Sequence, residues 1–554
     1  MFQRLLCVVL FAASLPAQQR QGNATVSHSY RIAGTVVNSV TGQPLASASV
    51  AIAPTSQGME RDISNSVTTG SDGHFSFDNL PRGKYSLMAM ARGYTLQYFE
   101  HHDPYATAVA AGPDLDSEHL VFRLEPDASV EGEVSDENND PIQNAMVRLF
   151  QTSLENGQQK TVQVGQTQTD DQGRYRMGRL APGKYYLAVS ARPWYAQSIR
   201  VTGKFAGADA QAEQEAAALD VTYPLTFYPD AMDSSSASPL TLTGGEKTTA
   251  DVVLRATPSL HLRIRTGSSS TSPAFDRAVF PAVSQRIFEG VLDSVTNAPV
   301  SWEGPGVIDI SGLAPGHYVV EMPGSSGLGE KATRRGWYRD IDLTGDAEIS
   351  ASDAPSFASV SGVMAFENEA RVPKGAALEL SNTDSGETFR SDISEKGEFD
   401  FSSEGVKPGH YLVRLNNTGG LFLSRLSATG AKVIGRTIEI AGTGSVRITA
   451  VAMRGAASVD GTAVRNDQPF AGAMIVLVPQ DPGHNAPLFR RDESDSDGTF
   501  TLSNVVPGQY TVIAIANGWD LEWANPTVLQ PYLKQGESVQ VPLEGKLQIK
   551  VQVQ

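Results

Sequence analysis

One short motif recurs five times along the chain, and it constrains the fold more than any other feature of the sequence. Each copy is a Gly or Pro-Gly turn followed by a Tyr and an apolar strand-like segment. Successive tyrosines are 93 to 133 residues apart, which is the size of a small domain rather than of one solenoid repeat. The sequence therefore predicts five related domains in tandem. The five tyrosines are Tyr85, Tyr185, Tyr318, Tyr411 and Tyr510.

Short alternating segments separated by frequent turns fill most of the chain. In the first copy, Asp72-Gly73 forms a turn before Phe75 and Phe77, whose spacing of two places both rings on one face of a strand. The Asp-Gly and Pro-Gly turns require positive φ at the glycine, which residues with a Cβ adopt only at a cost. This pattern predicts an all-β protein, a tandem array of about five antiparallel β-sandwich domains. One helix is expected, at residues 208–219.

The repeat also sets the expected domain boundaries. Four copies carry an opening Gly, 49 to 53 residues before the repeated Tyr, and the third copy lacks it. We expect five independent sandwiches strung along the chain, with no pocket shared between them. The predicted divisions are residues 1–17 for a signal peptide, 28–126 for the first sandwich, 127–256 for the second with an insertion at about 196–222, 257–352 for a degenerate third, 353–454 for the fourth and 455–554 for the fifth.

The first residues predict export. Arg4 precedes an apolar run, residues 5–15, that is too short to span a bilayer, and Ala17 suits cleavage by a signal peptidase. Cys7 is the only cysteine and lies in that run, so the mature chain would contain no disulfide or thiol. We expect a secreted, periplasmic or cell-surface protein with no integral membrane segment after cleavage. The net charge of −17 argues against nucleic acid as a partner.

Several short segments recur beside the motif. In the first copy they are Gly34-Thr35-Val36, Pro44-Leu45, Ala48, Val50, Asp72-Gly73-His74-Phe75 and residues 80–87. These segments resemble the carboxypeptidase regulatory-like domain, a transthyretin-like or prealbumin-like β-sandwich close to the Cna B-type and carbohydrate-binding-like folds. The fifth copy also resembles exported proteins of Acidobacteria-type bacteria. The resemblance implies a domain that is not itself catalytic.

Few residues are candidates for catalysis or metal binding. None of the nine histidines begins a His-x-x-Glu or His-Glu-x-x-His pattern, as a zinc peptidase would require. Glu100-His101-His102-Asp103 has suitable ligand types, but adjacent strand residues point to opposite faces. Asp495 and Asp497 belong to a sequence like the first half of a calcium loop, although Asn504 stands where a bidentate Glu is needed. We predict no catalytic residue, no cofactor and no metal, with these two segments left as metal-binding alternatives.

Aromatic residues near the C-terminus are the best ligand-binding candidates. The two Trp rings could stack on sugars while the carboxylates between them accept hydrogen bonds from hydroxyl groups. Packing is the alternative role, because Tyr94 and Trp194 occupy equivalent places nine residues after their own repeated Tyr. The candidate residues are Trp519, Asp520, Glu522 and Trp523.

Three functional hypotheses follow from these features. The first is a non-catalytic exported scaffold or binding protein of the bacterial cell envelope, whose partner would be an envelope glycan or protein. The second is a carbohydrate-binding protein that uses the exposed aromatics of its C-terminal domain. The third is an accessory partner of an exported peptidase or outer-membrane transporter, since regulatory-like domains accompany both. The sequence leaves the oligomeric state open.

Overall fold

A computed structural model describes residues 29–55, 65–102, 105–196, 218–266, 281–295, 298–304, 306–322, 325–326, 333–334, 336–367, 372–383, 385–417, 420–455 and 457–554. These residues form strands arranged in two-sheet sandwiches, so the predicted all-β fold is confirmed. The predicted signal peptide lies outside the described residues, as does the helix expected at 208–219 apart from its last two residues. No helix in the described part of the chain is long and apolar enough to cross a membrane.

The first two sandwiches share one arrangement of strands. The strands of the first are β1 (Tyr30–Asn38), β2 (Ser49–Pro54), β3 (Asn65–Thr68), β4 (His74–Leu80), β5 (Gly83–Met90), β6 (Gln97–Tyr98), β7 (His101–His102), β8 (Tyr105–Ala106), β9 (Val109–Ala111) and β10 (Leu120–Leu124). The strands of the second are β11 (Ala128–Ser135), β12 (Met146–Glu155), β13 (Gln158–Gln168), β14 (Arg174–Leu180), β15 (Gly183–Ser190), β16 (Val221–Thr222), β17 (Thr226–Phe227), β18 (Leu240–Leu242), β19 (Lys247–Thr249), β20 (Val252–Val253) and β21 (Thr257–Pro258).

The third and fourth sandwiches follow with the same order of pairing. The strands of the third are β22 (Leu260–Arg265), β23 (Ala282–Phe288), β24 (Val291–Ser294), β25 (Val300–Gly304), β26 (Val307–Leu313), β27 (Gly316–Met322), β28 (Ser325–Ser326), β29 (Thr333–Arg334), β30 (Trp337–Leu343) and β31 (Ala347–Ser350). The strands of the fourth are β32 (Ser359–Phe366), β33 (Ala377–Asn382), β34 (Thr388–Asp392), β35 (Glu398–Asp400), β36 (Gly409–Asn416), β37 (Leu421–Thr429), β38 (Lys432–Ile434), β39 (Thr437–Ile440) and β40 (Ser445–Arg454).

The fifth sandwich carries a helix that the sequence analysis missed. Its elements are β41 (Ala457–Arg465), β42 (Gln468–Pro469), β43 (Met474–Pro479), a 3-10 turn (Ala486–Leu488), β44 (Arg490–Glu493), β45 (Thr499–Val505), β46 (Gly508–Ile515), α1 (Pro526–Leu533), β47 (Glu537–Val541) and β48 (Gly545–Gln552). Asn525 caps α1 by accepting from the Thr527 amide at 3.1 Å, and Pro526 occupies the first turn. Asn-Pro at this place is a recognisable helix start.

All five sandwiches have one topology around separate cores. The first strand pairs in parallel with the last, as β1 does with β10, and antiparallel with the strand before the repeated Tyr, as β1 does with β4. The strand that carries the Tyr lies in the opposite sheet, where β5 pairs with β2. Buried apolar side chains fill the space between the two sheets of each sandwich.

The repeated Tyr fixes the turn that precedes it. In every copy its ring is buried and its hydroxyl donates to the carbonyl oxygen four residues earlier. A buried hydroxyl needs such a partner, and the same device closes corners in other β-sandwiches. The hydrogen bonds are Tyr85 to Pro81 at 2.8 Å, Tyr185 to Ala181 at 2.7 Å, Tyr318 to Ala314 at 2.8 Å, Tyr411 to Lys407 at 2.7 Å and Tyr510 to Val506 at 2.7 Å.

The repeated glycines are required for two different reasons. The Asp-Gly glycine Gly73 has φ +69°, as expected. Of the Pro-Gly glycines, Gly183, Gly409 and Gly508 have φ between +157° and +159°, whereas Gly316 has no positive φ. The opening Gly is required because there is no room for a Cβ at its position. A Cβ on Gly132 would lie 2.2 Å from the Ala250 carbonyl oxygen and 3.0 Å from the Tyr175 ring.

We expect Gly132→Ala to destabilise the second sandwich by about 1–3 kcal/mol, because the added methyl overlaps backbone that cannot move freely. Gly178→Ala is the matched control, since Gly178 lies in β14 of the same sandwich and a Cβ there meets nothing within 4 Å. Calorimetry of the intact protein measures both changes. Equal stability of the two variants would contradict the steric argument.

Neighbouring sandwiches pack on one another, so the expectation of independent units is wrong. Phe288 of the third sandwich lies against Phe150, Tyr186 and Phe227 of the second, with ring centroids 5.1–5.6 Å apart. These contacts form an apolar cluster outside the five cores. Apolar side chains on the outer faces of the sheets are buried by the next sandwich, which removes them from water.

Lys407 joins the third and fourth sandwiches. Its ammonium lies 2.7 Å from Glu321 and 2.9 Å from Glu387 and is mostly buried. His261 likewise ties the third sandwich to the segment before β16 of the second, with Nε2 2.8 Å from Asp220, and its Nδ1 lies 2.9 Å from Asp309 of the third. The hydrogen bond to Asp309, opposed by burial and assisted by Asp220, raises the pKa of His261 to about 9.

The folded protein should therefore lose stability as the pH rises from about 6.5 to about 9. A His whose pKa is higher in the folded than in the unfolded state contributes most below its unfolded pKa, and that contribution disappears once the folded form deprotonates. We expect His261→Gln to cost about 1–3 kcal/mol at pH 6 and much less at pH 9.5, measured by calorimetry. His119→Gln is the control, because His119 pairs with Asp116 on the surface. A constant difference between wild type and His261→Gln would contradict this account.

Candidate functional site

The four predicted ligand residues lie between β46 and α1 in the fifth sandwich. Trp519, Glu522 and Trp523 are half-buried, and Asp520 is exposed. The structure brings the first three against other sandwiches of the same chain, and Asp520 lies on the exposed surface between them. Their binding of an external ligand stays a prediction.

Trp519 contacts the first sandwich. Its ring stacks on the imidazole of His102, with centroids 3.7 Å apart and planes inclined by 5°. Its Nε1 donates to the Gly472 carbonyl oxygen at 3.1 Å. One face of this ring is therefore occupied by a side chain that is distant in sequence.

Glu522 and Trp523 contact the tip of the β12–β13 hairpin in the second sandwich. Glu522 Oε1 accepts from the Gln159 amide at 3.1 Å, and the Ala524 amide donates to the Gly157 carbonyl oxygen at 3.0 Å. Trp523 packs edge-on against Phe489, with centroids 6.4 Å apart. The fifth sandwich thus touches both the first and the second.

Glu493 is the buried centre of the contact with the first sandwich. Its side chain is 1% exposed and accepts from Thr107 Oγ1 at 2.6 Å. His102 Nδ1 lies 3.0 and 3.1 Å from the two carboxylate oxygens. A buried carboxylate without such partners would be costly, so the two sandwiches depend on each other at this point.

The segment considered for calcium completes this contact. Asp495 pairs with Lys84 and accepts from the Ala108 amide at 2.9 Å, while Ser496 Oγ accepts from the Ala110 amide at 2.8 Å. The Ser496 amide donates to the Ala108 carbonyl oxygen at 3.0 Å. These oxygens are used for docking one sandwich on another. Among the described residues, no group of three or more His, Cys, Asp or Glu side chains could hold a metal ion.

Burial dominates the electrostatics of this contact. It raises the pKa of Asp495, against the opposing effect of Lys84, and raises the pKa of the neighbouring Asp492 to about 7. The Arg491 guanidinium lies 4.5 Å from the centre of the Tyr105 ring. Charged groups from both sandwiches are therefore partly removed from water together.

Sequence reasoning missed Lys84 and Thr107 as contact residues. Lys84 belongs to the repeated turn and differs little from Lys184 of the second copy, so its sequence context gave no indication. Its partner Asp495 is about four hundred residues away. These residues form an interface between the first and fifth sandwiches of the same chain.

Two segments of the chain, residues 31–111 and 129–213, match the model of the carboxypeptidase regulatory-like domain. The first two domains are carboxypeptidase regulatory-like domains. The resemblance predicted from Gly34-Thr35-Val36 and its neighbours is thereby confirmed. The residues that receive Trp519 and Asp495, namely His102 and Lys84, both lie in the first regulatory-like domain.

Similar solved structures are distant. The Bacillus anthracis TIE protein is 11% identical over 97% of this chain and 76% of its own, with a TM-score of 0.17. GBS52, the minor pilin of Streptococcus agalactiae, is 12% identical over 41% and 97%, with a TM-score of 0.21. The shaft pilin SpaA of Lactobacillus rhamnosus GG is 9% identical over 42% and 98%, with a TM-score of 0.18. No curated protein matches the chain.

We expect Trp519→Ala to loosen the first regulatory-like domain from the fifth sandwich. Loss of the stacked ring and its hydrogen bond should cost about 1–2 kcal/mol, which corresponds to roughly tenfold faster amide exchange at residues 97–111. Hydrogen exchange with mass spectrometry measures this. Trp194→Ala is the control, because Trp194 is 92% exposed. Unchanged exchange in Trp519→Ala would show that the stack does not hold the two domains together.

Proposed function

We propose that the chain is a non-catalytic exported scaffold or binding protein of the bacterial cell envelope, in which the fifth sandwich docks on the first two. The observation that carries the proposal is the Glu493 contact, where the described side chains that pair with this buried carboxylate, His102 and Thr107, both belong to the first sandwich. A chain of flexibly linked domains has no need of such a contact. A scaffold that must keep its binding surfaces in fixed relative positions does.

The side-chain contacts of the histidines support a non-catalytic role. Five of them face carboxylates rather than a Ser, Thr or Cys side chain, so they are not placed to activate a nucleophile. The pairs are His102 with Glu493, His119 with Asp116, His261 with Asp220 and Asp309, His317 with Asp342, and His484 with Asp481. The two regulatory-like domains are consistent with this role, as is the predicted removal of Cys7 with the leader.

The carbohydrate-binding alternative has less support. One face of Trp519 lies on His102, and both carboxylate oxygens of Glu522 already accept hydrogen bonds, from Gln159 and from Asn525 at 2.6 Å. A sugar platform would need these groups to be available. The third hypothesis, an accessory to an exported peptidase or transporter, is a special case of the scaffold and would be recognised by co-purification of that partner.

The proposal predicts export without hydrolytic activity. Expressed with its own leader in a bacterial host, the protein should appear outside the cytoplasm with a new N-terminus near Gln18, as determined by N-terminal sequencing. Purified protein should not cleave peptide or glycan libraries. Hydrolysis that disappears on a point substitution such as Glu493→Gln would refute the non-catalytic role, and retention in the cytoplasm with residues 1–17 intact would refute export.

A further inference from the structure

A cleft of about 250 Å³ lies between the fourth and fifth sandwiches, away from the contact with the first. Strands β36 and β37 form one wall, and the 3-10 turn at 486–488 with the end of β45 forms the other. Neither the regulatory-like domain match nor the scaffold role accounts for it. Its chemistry is unusual for a protein with a net charge of −17.

Three arginines line this cleft, Arg414, Arg436 and Arg490. Among the described residues that line it, there is no Asp or Glu. Among the described residues, the carboxylate that pairs with one of these arginines is that of Glu379, which lies 4.0 Å from Arg414 and also accepts from Asn416 at 2.7 Å. The cleft therefore concentrates positive charge with little compensation.

Arg490 and Arg436 differ in how they are held. The Arg490 guanidinium donates to the carbonyl oxygens of Asn504, Pro487 and Phe489 at 2.7 to 3.2 Å, which fixes its position without neutralising it. Arg436 is only 9% exposed, and no hydrogen bond or ion pair joins its guanidinium to the part of the chain that the structure describes. Burial lowers the pKa of both side chains. The Arg436 nitrogens are not fully enclosed, so an anion that enters the cleft can pair with them in place of water.

The remaining walls of the cleft are mainly apolar. Side chains from both sandwiches, including those of Leu421, Phe422, Leu488 and Val505, line it beside the arginines. Guanidinium groups match planar carboxylates through paired hydrogen bonds. The volume lies below that of sites for drug-sized molecules, so roughly ten non-hydrogen atoms of a ligand fit inside the cleft and the rest of a larger ligand lies outside it.

We propose that this cleft binds a carboxylate with a short apolar body, held by Arg436 and Arg414 with the apolar part against Phe422 and Leu488. The ligand is either a small free acid or the C-terminal residue of a peptide chain, because both present the same group. The inference goes beyond the scaffold role and is independent of the contact made by Trp519.

Calorimetric titration of the intact protein tests the site with benzoate, benzamide and inorganic phosphate. We expect benzoate to bind with a millimolar or tighter Kd and benzamide to bind at least tenfold more weakly, because it lacks the charge. Phosphate should also bind at least tenfold more weakly, because it lacks the apolar body. Equal binding of benzamide or of phosphate, or no binding of benzoate at 20 mM, would overturn the proposal.

Two variants locate the site. Arg436→Gln should weaken benzoate binding at least tenfold, while Arg447→Gln, the same change at an exposed position on β40, should leave it within twofold. If Arg436→Gln does not fold, Arg414→Gln replaces it, because that side chain is 27% exposed. An equal loss in Arg447→Gln would mean that benzoate responds to net charge alone, which would overturn the assignment.

A second comparison distinguishes a small free acid from a peptide terminus as the ligand. It uses N-acetylphenylalanine and a pentapeptide that ends in Phe, each as free acid and as amide. Tighter binding of the peptide acid assigns the cleft to chain termini, and tighter binding of the single residue assigns it to free acids. Binding of the amides as tightly as the acids overturns both. Repeating the titration on Trp519→Ala distinguishes this site from the scaffold proposal, since binding should persist there.

Discussion

The close approach of the last strand to the first is the constraint on which each sandwich depends. Parallel pairing brings a carbonyl oxygen of the last strand over the opening Gly, where a Cβ would lie 2.2 Å from Ala250 in the second sandwich and 2.2 Å from Ile448 in the fourth. An aromatic ring from the antiparallel partner covers the same Gly. The third sandwich lacks both features, since Ile264 pairs with Ile308 at that register, and two aliphatic side chains replace the glycine and the ring together.

The same strand topology fixes the core of every sandwich, whereas the side chains on the outer faces of the sheets differ from one sandwich to the next. These outer side chains form the contacts between sandwiches. The second and third sandwiches share an aromatic cluster, the third and fourth share buried Lys407, and the fifth meets the first through Glu493. These junctions use different chemistry although the sandwiches share one topology. Each sandwich is therefore specific for its neighbour, which favours one arrangement of the whole chain over interchangeable units.

The sequence predicted those features that depend on contacts between residues close together in the chain. The Tyr motif, the alternating strands and the Asp-Gly turns follow from contacts within a few residues or one hairpin, and the Asn525-Pro526 start of α1 was available but overlooked. The junctions could not be found in this way, because Lys84 and Asp495 meet only after two complete domains have folded and docked. Trp519 shows why a contact between distant domains could not be predicted from the sequence. Its sequence context suits a sugar platform as well as a packing residue, and only the position of His102 shows what lies on its face.

The distribution of charge follows from the same arrangement. Acidic groups of β44 and the turn after it face Lys84 and His102 of the first sandwich, although the protein as a whole has an excess of carboxylates. Arg490, also on β44, lines the cleft toward the fourth sandwich. Carbonyl oxygens of its own sandwich hold its guanidinium, and no carboxylate among the described lining residues compensates its charge. One short strand thus lies between an interface of paired side chains and a cationic cleft. The carboxylate ligand proposed for this cleft would supply the negative charge that the described lining residues lack.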